Sequence, residues 1–257
     1  MLETPYSRTF IDDRGVGTLT IVNARALNIL SSPVILDLTE ALRRLAGDPA
    51  LRVLVLRGSG DKAFIGGADI NEMAALDPPG AEQFISRLRG LCDAVRDMPM
   101  PTIARLAGYA LGGGLEVALA CDLRIADRNA RFGMPEVKVG IPSVIHAAMM
   151  PRLIGQARAT WMLLTGELID AATAEQWGLV HPLAAIGQLD AVVAATADAL
   201  AALGPAALRQ QKALIRHWED TTLDAAIDAT VPQFGRAFTT GEPQRFMAAF
   251  QRGGKPG

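Results

Sequence analysis

Four short runs rich in Val, Ile and Leu mark the first half of the chain: 17–23 (GTLTIVN), 52–58 (RVLVLRG), 101–108 (PTIARLAG) and 121–127 (CDLRIAD). Gly or Pro stands near several of their ends, and both length and composition predict β-strands. Between them lie longer stretches with apolar residues at helical spacing, 33–47 and 80–98, and a nearly all-apolar one at 113–120. Strand and helix in alternation predict an α/β layer architecture with a mainly parallel sheet.

Beyond about residue 190 the pattern changes. The runs 189–203, 204–220, 221–238 and 241–253 are Ala-rich and helical in period, with Gly204–Pro205 and Gly241 as punctuation. This predicts a core over residues 1–195 and a helical region over 196–257. The apolar faces of that region exceed what a small appendage hides alone, so it is expected to drive self-association. The tail GGKPG is expected to fray.

Composition narrows the function classes. The chain has 257 residues, half of them hydrophobic and a fifth charged, with a formal net charge of −2, which suits a globular protein with a sizeable core. No basic stripe marks a nucleic-acid surface; the basic residues near the C-terminus (Arg245, Arg252, Lys255) read as a solvated helix end. No uncharged apolar run approaches the ~20 residues that cross a bilayer, and no leader pattern precedes the first strand. Cys92 and Cys121 read as buried free thiols in a reducing compartment, and the three histidines have no metal-binding spacing. A cytoplasmic protein is expected, with no metal, no membrane and no nucleic acid.

Three stretches could carry chemistry. In 58–73 (GSGDKAFIGGADINEM) a strand leads through Gly66–Gly67–Ala68 to Asp69 at a helix start; spacing alone favours a plain capped turn over a place where the Ala68 N–H meets an anion. In 109–127 the run Gly112–Gly113–Gly114 opens the apolar helix, so the Gly113 N–H lies at a helix N-terminus, where developing oxyanion charge is stabilised. Glu116 follows one turn in, among Leu115, Val117 and Leu119, where burial favours a raised pKa. In 130–143 (ARFGMPEVKVGIPS) Glu136 follows a proline in a loop beyond a strand; a loop glutamate is either a surface residue or the second member of an acid–base pair.

The segments DKAFIGGADINEM, GYALGGGLEVALACDLRIAD and FGMPEVKVGIP resemble, in order and spacing, the signatures of the enoyl-CoA hydratase/isomerase (crotonase) superfamily, and LLTGELIDAATAEQWGLV (163–180) is similar to its lead-in to the C-terminal helices. The resemblance implies a spiral of ββα units with a C-terminal helical oligomerisation region, and homotrimers or homohexamers. It implies Ala68 and Gly113 as the two oxyanion donors, and Glu116 and Glu136 as the catalytic acids of an enoyl-CoA hydratase, the first handling water and the second the Cα proton. The substrate would be an acyl-CoA thioester, with coenzyme A part of the substrate and no separate cofactor. Implied substrate contacts are Ala24 and Ala26 in NARALN (23–28), Lys62, Ala68, Ile70, Gly112, Gly113 and Ser143. One stretch departs from the pattern: IPSVIHAAMMPRL (141–153) replaces a glycine-rich run, putting Ser143, Val144, Ile145 and His146 where small residues are usual. This keeps isomerisation, C–C cleavage or thioester hydrolysis as alternatives to hydration, with a non-catalytic acyl-CoA-binding protein as a rival of another class. The bulk at 143–145 is expected to narrow the acyl pocket, and His146 either packs or transfers a proton.

Overall fold

The computed structural model describes residues 2–252. Its strands are, in chain order, β1 (Leu2–Glu3), β2 (Ser7–Ile11), β3 (Val16–Ile21), β4 (Val53–Gly58), β5 (Ala63–Ile65), β6 (Thr102–Leu106), β7 (Tyr109–Leu111), β8 (Leu123–Asp127), β9 (Arg131–Gly133), β10 (Ile169–Asp170) and β11 (Leu183–Ala184). The helices are α1 (Ser32–Ala46), α2 (Ile70–Met73), α3 (Pro78–Arg96), α4 (Gly113–Ala120), α5 (Met150–Ile154), α6 (Gln156–Thr165), α7 (Ala171–Trp177), α8 (Leu189–Ala201), α9 (Pro205–Glu219), α10 (Leu223–Ala237) and α11 (Glu242–Gln251).

The strands form two sheets. The larger runs β1-β2-β3-β4-β6-β8-β11 and the smaller runs β10-β9-β7-β5. From β3 onward the larger sheet is parallel; β1, β2 and β3 pair antiparallel. In three successive coils the chain lays one strand in the large sheet, turns, and lays a short one in the small sheet: β4 then β5, β6 then β7, β8 then β9. Matching strands of successive coils pair side by side, parallel, in both sheets. This is the expected spiral of ββα units.

Alternation along β4 shows why the large sheet is covered on both faces. Leu54 and Leu56 enter the main core with α1, α3 and α4, whereas Val53 and Val55 meet Leu189, Val193, Ala197 and Ala201 of α8 on the other side. The run 101–108 is not one strand. It stops at Leu106, and Gly108, at φ +59°, turns the chain into β7; a side chain at 108 would collide with the Lys62 carbonyl. The other helices and strands predicted from sequence lie within two residues of their expected ends. From Leu189 to Gln251 the elements are all helical, as the composition implied. The GGKPG tail lies outside the described residues.

Among the described residues no single helix is long and apolar enough to cross a membrane, and no group of metal-ligating side chains is present. Cys92 and Cys121 are free and buried, as expected.

Candidate active site

The three coils open onto one cavity of about 310 Å³. The first coil contributes Gly66–Ala68. Leu30 bonds to both neighbours of Ala68: its N–H donates to the Gly67 carbonyl at 2.9 Å, and its carbonyl accepts from Asp69 N–H at 3.0 Å. This parallel-bridge geometry turns Ala68's own N–H away from Leu30. No carbonyl among the described residues takes it up. Asp69 caps α2 through the Asn71 N–H at 3.1 Å, as its position predicted, and is also held by Arg25 at 2.7 Å.

The second coil contributes α4. Gly112 is its N-cap at φ +51°, and a side chain there would collide with the Glu136 carboxylate. A left-handed turn and a close approach therefore both require glycine at 112. Gly113 begins the helix, so its N–H lacks an intrahelical partner. A Cβ on Gly67 would lie in ordinary contact with the Leu111 carbonyl, at 3.4 Å, so the two turns are neighbours, and Ala68 and Gly113 both line the cavity. Every residue of α4 is buried, and Glu116 is only 3 % exposed.

The third coil contributes Glu136, in a 3₁₀ turn over Pro135–Val139 rather than an irregular loop, and half-buried. Ser143 donates its hydroxyl to Glu136 Oε2 at 2.8 Å. Both carboxyls line the cavity and each is shifted upward. Burial pushes Glu116 from 4.5 to about 8; the Ala147 N–H, donating at 3.0 Å, opposes this, the Glu136 charge adds to it, and the His146 N–H opposes it again. Burial likewise raises Glu136, against hydrogen bonds from its own backbone and from Ser143. Glu116 is therefore hard to ionise, and a charged Glu136 makes it harder still.

Of the residues expected from sequence, Ala68, Ile70, Gly112, Gly113, Glu116, Glu136 and Ser143 line this cavity. Ala24, Ala26 and Lys62 stand outside its lining: Ala24 is buried, while Ala26 and Lys62 are exposed. The segment 23–28 nevertheless borders the first coil, through Arg25 on Asp69 and through the Leu27 carbonyl, which accepts from Gly66 N–H at 2.8 Å. Val144 lines the cavity; Ile145 and His146 do not. Sequence reasoning missed the apolar wall supplied by Phe84, Ile85 and Leu88 of α3 and by Met73. Their helical spacing marks a buried face, and nothing in it separates a face against core from a face against ligand.

A spiral of ββα coils enclosing such a cleft is the crotonase fold, and solved structures match it closely. The crystal structure of enoyl-CoA hydratase from Bacillus anthracis superimposes with a TM-score of 0.94 at 29 % identity, covering 98 % of each chain. Residues 12–256 match the enoyl-CoA hydratase/isomerase family, and the chain belongs to it. Among curated relatives, a crotonyl-CoA hydratase from Syntrophomonas wolfei is 35 % identical over 236 residues, 91 % of either chain. An (E)-benzylidenesuccinyl-CoA hydratase from Thauera aromatica is 38 % identical over 215 residues, 82 % of this chain and 83 % of that one.

Proposed function

We propose that the chain is an enoyl-CoA hydratase, adding water syn across the double bond of a 2-enoyl-CoA to give the 3-hydroxyacyl-CoA. The observation that carries this reading is a pair of upward-shifted carboxyls, the buried Glu116 and the half-buried Glu136, facing one cavity with two backbone amides that have no partner among the described residues. In the proposed reaction the thioester carbonyl rests on the Ala68 and Gly113 N–H groups, which stabilise the enolate-like charge as water attacks C3. Loss of one such donor typically costs ~10²–10³ in rate. Glu116 takes a proton from the water and Glu136 gives its proton to C2, so the pair keeps one proton overall and moves it from one member to the other.

Burial orders the two members. Glu116 is the more deeply buried, and Glu136 accepts the Ser143 hydroxyl. When only one of the pair is protonated, the proton therefore rests on Glu116. That is the arrangement hydration leaves behind, and the one from which the reverse reaction, dehydration, begins. A hydration cycle requires the proton to return to Glu136 before or as the next water is bound.

Coenzyme A enters as part of the substrate; the border between segment 23–28 and the first coil, with Lys62 nearby, is the proposed path for its nucleotide end. The helical region from about 196 onward is proposed to support homotrimers or homohexamers. A cytoplasmic location is also proposed, supported by two buried free thiols. The test is turnover on a panel of 2-enoyl-CoA thioesters, following loss of enoyl-thioester absorbance and identifying product by mass. A product heavier by one water supports hydration. An isomer, a cleaved acyl chain or free coenzyme A would assign one of the related reactions instead, and binding without turnover would make the chain a carrier.

A further inference from the structure

Glu116 is held from behind by backbone. The Ala147 N–H donates to its Oε1 at 3.0 Å, and the His146 N–H faces the same carboxyl. Both amides belong to the 3₁₀ turn Ile145–Met149. That turn departs from the pattern usual in such chains, and its backbone is loaded: Ile145, a β-branched residue, sits at φ +40°. Such a residue keeps a left-handed conformation only where its surroundings over-determine it.

The side chain of His146 reaches from that turn towards α3. It is 9 % exposed and absent from the cavity lining, and its Nε2 lies 3.5 Å from Asp93 Oδ1 on α3. Asp93 is itself steadied by Arg89 at 3.3 Å. The same helix supplies Phe84, Ile85 and Leu88 to the cavity. A tie from the turn to α3 therefore joins the support of the carboxyl to the wall of the pocket.

We propose that His146 is a positioning residue for Glu116: clamped to Asp93, its ring pins the 145–149 turn against α3 and keeps the Ala147 N–H on the Glu116 carboxyl. This rests on Glu116 being a member of the reacting pair. The ring is a fixed clamp and not a proton carrier. Burial lowers its pKa; Asp93 opposes this, and Arg96 and Arg89 on α3 together with Arg216 on α9 reinforce it, so the imidazole is neutral at neutral pH. Its Nε2 faces Asp93 Oδ1 at 3.5 Å, and its buried Nδ1 has no partner among the described residues.

The clamp can be tested apart from turnover by NMR titration of protein carrying carboxyl-¹³C glutamate, with the Glu116 signal identified by its loss in Glu116→Gln. Freed from the clamp, Glu116 loses a donor that favours its charged form. In His146→Ala and in Asp93→Ala it should therefore titrate about one pH unit or more above wild type, a roughly tenfold gain in proton affinity. The double variant should shift no further than either single one. His146→Gln, whose amide can still donate towards Asp93, should restore most of the wild-type value. In turnover, His146→Ala should lose about tenfold or more in kcat while KM moves less than about twofold, because the group it supports acts on the reacting atoms. An unshifted Glu116 titration in both alanine variants, with only a lower melting temperature, would overturn the clamp. A wild type that hydrates no enoyl-CoA would overturn the reaction assigned above, and the titration would still decide the clamp.

Discussion

Glu116 makes the fold carry a cost that a glutamine would not. An ordinary glutamate titrates at 4.5 and this one at about 8, so between those values the native state holds a proton that the unfolded chain has released. Stability must then fall as pH rises through that window, with the full penalty present above it, at ~1.4 kcal/mol per pH unit of displacement. Glu116→Gln has no such proton to lose. Thermal melts from pH 5 to pH 9 should show the variant gaining stability relative to wild type as pH rises, and a difference between the two that does not change with pH would mean that Glu116 titrates normally. The same proton governs rate. Activity in either direction requires the singly protonated pair, so the profile should be bell-shaped and should fall above about pH 8, when the last proton leaves. Its acid limb should lie above the ordinary glutamate value, because Glu136 is raised too. Glu116→Gln and Glu136→Gln should each lower kcat by ~10²–10⁴ with acyl-CoA binding nearly intact, and together by much less than the product. Steady-state kinetics and a binding isotherm check both statements, and near-wild-type turnover in either variant would remove that residue from the chemistry.

Individual elements differ in how far the sequence discloses them. The eight residues of α4 and the buried run of β4 are legible because each is nearly all apolar and has glycine at one end. The strands β5, β7 and β9 are not, because three residues are too few to show a period of two; they exist because each pairs with its neighbour in the next coil. The carboxyls and glycines of the site were legible through motif and spacing. The contacts that tune them were not: Ser143 on Glu136, Ala147 on Glu116 and His146 beside Asp93 join residues that only the folded chain brings together. The segment 141–149 shows both sides of this. Bulk at Ser143, Val144 and Ile145 suggested a narrowed acyl pocket, yet only the first two line it. Val144→Ala should therefore widen acyl tolerance, with preference between chain lengths shifting by ~10–200-fold at most. Ile145→Gly should leave the acyl profile unchanged while relieving the left-handed backbone at 145. Relative kcat/KM across a series of chain lengths checks this, and a profile that moves with Ile145 and not with Val144 would place the acyl end elsewhere.

At the scale of the whole molecule, the C-terminal helices are both tied down and unfinished. Lys212 of α9, buried, reaches the Met100 carbonyl at 3.0 Å and Asp122 at 2.7 Å, and Arg216 reaches the same Asp122 at 3.0 Å. The α9 helix is thus anchored beside the start of β8, a short step from the end of α4. Farther out, Leu223, Val231, Phe234 and Phe250 are all more than 70 % exposed. Apolar surface of that extent calls for a partner. Sedimentation should show a stable oligomer at micromolar concentration, and Phe234→Asp should weaken it; a stable wild-type monomer would refute the self-association. The coil construction has a consequence of a different kind, for how such a protein diversifies. The amides that would hold the thioester come from the first and second coils, and the carboxyls from the second and third. The third coil's turns, from Met134 to Met149, can therefore be exchanged without touching either amide. Transplanting that stretch from a relative of different chemistry amounts to changing the tool while keeping the vice, and a lineage built on this spiral can explore new reactions one coil at a time.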